Sequence, residues 1–71
     1  MTTQAVGGRS YEFGLKDRLR AAREQAGFGQ REFAVATGIG RNSIVNYEGG
    51  TTTPKRPQLV AWAMATGFSL E

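Results

Sequence analysis

The 71-residue chain predicts an all-α protein, a compact bundle of four to five short helices. Three observations carry that prediction. Apolar residues recur at spacings of three and four along several segments, which is the period of one helical face. Glycines close each of those segments, as helix ends often require. No run of β-branched or aromatic residues alternates over five positions, so no strand pattern competes. Helices this short do not stand alone in water, so they must pack against one another.

Taken in order, residues 1–11, beginning "MTTQAVGGRS", are small and polar, carry glycine and show no period. They are expected to form a flexible N-terminal arm, with the folded domain spanning 12–71. The first periodic segment is "FGLKDRLRAAREQAG". Leu15, Leu19, Ala22 and Ala26 share one face there, and Lys16, Arg18, Arg20 and Glu24 fall outside it. A helix is expected from about 13 to 26, stopped by Gly27. In "FGQREFAVATG", Phe28 precedes a second helix whose inner side is Phe33, Ala34 and Thr37, and Gly38 ends it. A third helix, "RNSIVNYE", stops at Gly49 and Gly50. The linker "TTTPKRP" holds two prolines and cannot be helical throughout. Pro57 suits the first turn of a fourth helix, with Leu59, Trp62, Ala63 and Thr66 inward and Gly67 at its end. The closing "FSLE" reads as the first turn of a further element.

Composition narrows the chemistry. The chain has no cysteine and no histidine. It therefore lacks a disulfide framework, thiolate zinc ligands, the commonest metal ligand and the commonest general base near neutral pH. Its serines, tyrosines and carboxylates form no paired constellation, so no enzyme, metal, cofactor or small-molecule ligand is expected. No apolar run approaches the ~20 residues of a membrane span, and the N-terminus has no apolar core of a leader, so the cytoplasm is expected. The net charge is +3 and the sequence pI is about 10.0. Both favour an anionic partner.

The chemistry concentrates in "QREFAVATGIGRNSIVNYE". Two helices of about eight residues flank "GIG", where Gly38 can take the positive φ of a sharp turn and Ile39 can plug the gap between them. This is a helix-turn-helix arrangement. On a wheel of ~100° per residue, Tyr47 and Glu48 fall within about 60° of Ile44. Asn42, Val45, Asn46 and Gly49 fall on the far side, and Arg41 stands at the helix start. An amide presents a donor beside an acceptor and matches the N6/N7 edge of adenine. Arginine matches the O6/N7 edge of guanine. No carboxylate shares that face, so it suits the major groove. Val45 is either a contact to a thymine methyl or one of the scattered exposed apolar residues common on protein surfaces.

The segment from about Leu15 to Leu70 resembles the helix-turn-helix domain of the phage repressor and Cro family, a lambda-repressor-like fold. The resemblance lies in "LRAAREQAG", "GQREFAVATGI", "RNSIVNYEGG", "RPQLVAWAMATG" and "FSLE", in that order. It implies base contacts from Arg41, Asn42 and Asn46, and a phosphate anchor at Gln30. Free N–H groups in the first turn of a helix favour phosphate in any case. Ser43 is expected as a second anchor, and Lys55 and Arg56 as backbone contacts from the linker. The resemblance also implies an internal pair between Arg23 and Glu48, which is structural and takes Arg23 out of the DNA contacts. Two departures are Gly29 and Gly40, where relatives usually cap with Ser or Thr. Thr66 stands where they often put Leu, which thins the core near Trp62. Relatives continue past "FSLE", so the chain is expected to be the N-terminal part of a longer repressor, or a very short one.

The function expected is a sequence-specific regulator of transcription that binds double-stranded operator DNA as a homodimer, with half-sites roughly 10 bp apart. The alternative is an antitoxin-type helix-turn-helix protein whose domain also grips a protein partner, with Val6, Tyr11 and Phe13 of the arm as its thin apolar support.

Overall fold

The computed structural model describes residues 14–70, which form four helices. The expected arm, with Val6, Tyr11 and Phe13, lies outside the described residues. The helices are α1 Leu15–Gln25, α2 Gln30–Thr37, α3 Arg41–Gly49 and α4 Arg56–Thr66. α3 and α4 each pack against both α1 and α2. No helix among the described residues is long and apolar enough to cross a membrane.

One core joins all four helices. Leu19 and Ala22 come from α1, Phe33 from α2, Ile44 from α3 and Trp62 from α4. Leu19, Phe33, Ile44 and Trp62 are fully buried. Each contributes roughly 1.5–3 kcal/mol relative to exposure, so the centre of the bundle is where most of the stability lies. Phe33 meets Trp62 edge-on at 4.7 Å between ring centroids, and Phe28 meets Phe33 at 5.3 Å. The indole N–H of Trp62 would be a buried orphan donor. It donates instead to the Leu19 carbonyl at 3.0 Å, which ties α4 to the middle of α1.

The helix ends differ from expectation by one or two residues. α1 begins at Leu15, with Gly14 as its N-cap and the Asp17 carboxylate accepting from the Gly14 N–H at 3.1 Å. Gly14 has no side chain to return the bond. Ala26, expected on the inner face, is exposed, because it lies past the last helical residue and its N–H already caps the Ala22 carbonyl. α4 begins at Arg56 rather than Pro57, since Gln58 reaches back to accept from the Lys55 N–H at 3.2 Å and starts the helix one residue earlier.

The four C-termini use two devices. α1 and α3 end on paired backbone bonds around a left-handed glycine. Phe28 N–H reaches the Arg23 carbonyl beyond Gly27, and Thr51 N–H reaches the Asn46 carbonyl beyond Gly50. α2 and α4 end on the same three residues, Ala-Thr-Gly. The Thr37 hydroxyl donates to the Phe33 carbonyl and accepts from the Ile39 N–H. The Thr66 hydroxyl does the same with the Trp62 carbonyl and the Phe68 N–H. Thr66 thus serves the chain turn beside Trp62. Residues 67–70 are not helical, and Leu70 turns back into the core at 4% exposure.

Candidate nucleic-acid interface

The turn between α2 and α3 sets the geometry. Gly38 has φ 77°, which allows the chain to leave α2 sharply, and its N–H caps the Ala34 carbonyl at 2.9 Å. Ile39 packs against the core below the turn. Gly40 then enters α3 in an extended conformation with no side-chain cap. Ile44 and Glu48 face inward and are buried, and Tyr47 is half-buried against the Trp62 ring at 6.3 Å. The opposite side of α3 is solvent-facing. Arg41, Asn42, Val45, Asn46 and Gly49 are exposed, and Ser43 is intermediate.

The inward side of α3 is held by charge as well as by packing. The Arg23 guanidinium on α1 grips the Glu48 carboxylate on α3 in a fork, Nε to Oε2 at 2.6 Å and Nη2 to Oε1 at 2.9 Å. Its third arm donates to the Phe28 carbonyl at 2.7 Å, in the turn that leads into α2. Both charges are largely out of solvent, at 8% and 4% side-chain exposure. The hydrogen bond to Glu48 raises the Arg23 pKa above its ordinary value. Desolvation opposes this, and the Glu48 and Glu24 charges add to it. Such a pair has little net effect on stability when intact, yet losing either member strands a buried charge. Glu48 is the only acidic residue in α3, so its burial leaves the exposed face free of negative charge.

Gln30, the first residue of α2, joins this pair. Its side-chain amide donates to Glu48 Oε1 at 3.2 Å. Three elements therefore converge on one carboxylate: α1 through Arg23, α2 through Gln30, and α3 itself. Lys55 is exposed as the N-cap of α4, and Arg56 opens that helix.

Residues 17–71 match the family model described as a helix-turn-helix domain, well over half of the chain. The chain belongs to that family. No curated protein and no solved structure matches it.

Within this helix-turn-helix domain, the side chains expected at bases, Arg41, Asn42, Val45 and Asn46, are all exposed on α3, with Arg41 in its first turn and Asn42 and Asn46 on the side away from Ile44. Arg23 and Glu48 are joined beneath that face. Gln30 was expected only as an outward anchor, and its bond to Glu48 has no counterpart in the sequence reading. The reason is local: a glutamine in a first helical turn carries no periodic signal for a partner eighteen residues away. The Arg23 bond to the Phe28 carbonyl and the Trp62 bond to the Leu19 carbonyl were missed for a different reason: main-chain acceptors leave no residue type to read.

Proposed function

We propose that the protein is a sequence-specific, double-stranded DNA-binding regulator of transcription, of the phage or prophage repressor and Cro type. It reads the major groove with α3 and binds operator DNA as a homodimer in the cytoplasm. The observation that supports this best is the division of α3. The outer side presents two amides to solvent, with an exposed guanidinium at the helix start, and the inner side hides the helix's one carboxylate against Arg23. Amides and guanidinium are the groups that pair with base edges, and a hidden carboxylate does not repel phosphate.

Around that face the anchors take phosphate. Gly29 caps α2 with no side-chain hydrogen bond, so the first backbone N–H groups of α2 are available to a phosphate oxygen, and the Gln30 side-chain amide, which already donates to Glu48, has one N–H left for it. Ser43, Lys55 and Arg56 act as further backbone contacts. Arg41, Asn42 and Asn46 read bases, with Val45 against a thymine methyl.

Selection from a random duplex library at two salt concentrations tests the whole reading. The expected product is a two-fold symmetric motif with half-sites roughly 10 bp apart. Recovery of unenriched duplexes at both salts would overturn base reading by α3.

A further inference from the structure

Gln30 is tied to the residue that anchors α3, and this bears on how the domain grips the DNA backbone. A carboxylate only accepts hydrogen bonds. The Gln30 amide must therefore turn its nitrogen, not its oxygen, toward Glu48, whichever way the amide is first placed. A phosphate oxygen also only accepts. The one group on the Gln30 side chain that a phosphate can use is the second N–H of that same nitrogen. Glu48 is itself held in a two-point fork by Arg23, so it cannot swing away with the glutamine.

We propose that Glu48 is a positioning residue for DNA binding, which pins the Gln30 amide nitrogen at the α2–α3 seam so that its second N–H is set in place for a phosphate before DNA arrives. This rests on the DNA-binding reading above. The pinned nitrogen lies 3.2 Å from an oxygen of the recognition helix. The backbone anchor and the base-reading face are thereby fixed relative to each other through one side chain. A glutamine held in advance loses less rotamer freedom on binding than a free one. Arg23 enters this machinery at one remove, by holding Glu48.

A double-mutant cycle tests it, with gel-shift titration on several unrelated 20-bp duplexes at one low salt concentration. The four proteins are wild type, Gln30→Ala, the pair Arg23→Met/Glu48→Met, and the triple variant. The Met pair removes both buried charges together, which keeps the fold, and melting by circular dichroism checks this. Gln30→Ala is expected to weaken every duplex about ten-fold or more, the worth of one hydrogen bond to a charged acceptor. The Met pair is expected to weaken every duplex about two- to ten-fold, the cost of ordering a freed glutamine on binding, while still unfolding cooperatively close to the wild-type melting temperature. The triple variant should bind no worse than Gln30→Ala, because without the glutamine there is nothing for Glu48 to position. If the factors multiply instead, or if the Met pair binds like wild type, Glu48 does not position Gln30.

A second measurement needs no variant. In the free wild-type protein the Gln30 side-chain NH2 should be as ordered by heteronuclear NOE as the α2 backbone. A freely tumbling amide overturns the proposal. Absence of binding to any duplex by the wild type would remove the regulator reading itself and this inference with it. Loss of the coupling alone, with wild-type binding intact, removes only the inference.

Discussion

Arg23 donates to two acceptors that belong to different parts of the chain, the Glu48 carboxylate and the Phe28 carbonyl. Arg23→Met alone leaves the carboxylate buried and unpaired, and should destabilise the domain by about 3–5 kcal/mol. Adding Glu48→Met should recover most of that loss. Urea denaturation of the two variants checks the order, and a double variant less stable than the single one would contradict it. The raised Arg23 pKa has its own pH consequence. Its stabilisation is full below the guanidinium's ordinary pKa and is lost only as pH rises through the raised value, so mildly alkaline buffers should leave the pair intact. Exposed Arg41 is a different case. Arg41→Ala should leave the melting temperature unchanged, cost about 1–3 kcal/mol in DNA affinity and relax one base position. Gln30→Ala should weaken all sequences alike. Equal losses on every sequence from both changes would collapse the distinction between reading and anchoring. At this scale the sequence was most legible where the residue type itself restricts its place. A charge on an apolar stripe demands a partner, and two exposed amides on one helix face ask for an explanation. Gln30 carried neither signal.

Helix ends dominate the next scale up. α2 and α3 begin on Gly29 and Gly40, neither of which caps through a side chain. At Gly40 the backbone is extended, with φ −62° and ψ 145°, and an added Cβ would meet nothing within 4 Å. Gly40→Ser should therefore stabilise the domain by a few tenths to about 1 kcal/mol, from the cap bond and a less free unfolded chain. That corresponds to a rise in melting temperature of several degrees for a domain of this size. A lower melting temperature would mean that the α3 entry is not set by its cap. The Ala-Thr-Gly endings make the opposite case. Thr37→Val keeps the shape and removes the hydroxyl, which leaves the part-buried Ile39 N–H without its acceptor. A loss of about 1–3 kcal/mol is expected in thermal denaturation. Glycine stops were readable because few residues tolerate left-handed backbone. The starts of α1 and α4 were harder to place, since Asp17 and Gln58 act by reaching back three residues, and any polar side chain could look the same in the sequence.

In the whole molecule, α3 and α4 each rest on both α1 and α2. This order was legible because each helix contributes an inward residue the period had already singled out, Leu19, Phe33, Ile44 and Trp62. The return of Leu70 into the core was not, because a single apolar residue after a glycine has no period to place it. With a net charge of +3 and the cations spread over several elements, binding should depend steeply on salt. The logarithm of the affinity should fall with the logarithm of salt at a slope near −0.9 per phosphate contact, with about 4 to 6 contacts per domain. Lys55→Ala should make that slope shallower by about one unit, and Asn46→Ala should leave it unchanged. Titration at four salt concentrations separates the two, and a slope unaltered by Lys55→Ala would take that residue off the DNA backbone.

The chain has a single tryptophan, and Trp62 is sealed at the centre with its indole N–H held by the Leu19 carbonyl. Its emission therefore reports whether the core is closed, and no ligand on the exposed face of α3 can touch it directly. Unfolding can be followed by ultraviolet excitation in the same cuvette in which a dye on the DNA reports occupancy. A variant that has lost its grip on DNA can be told from one that has lost its shape in one experiment.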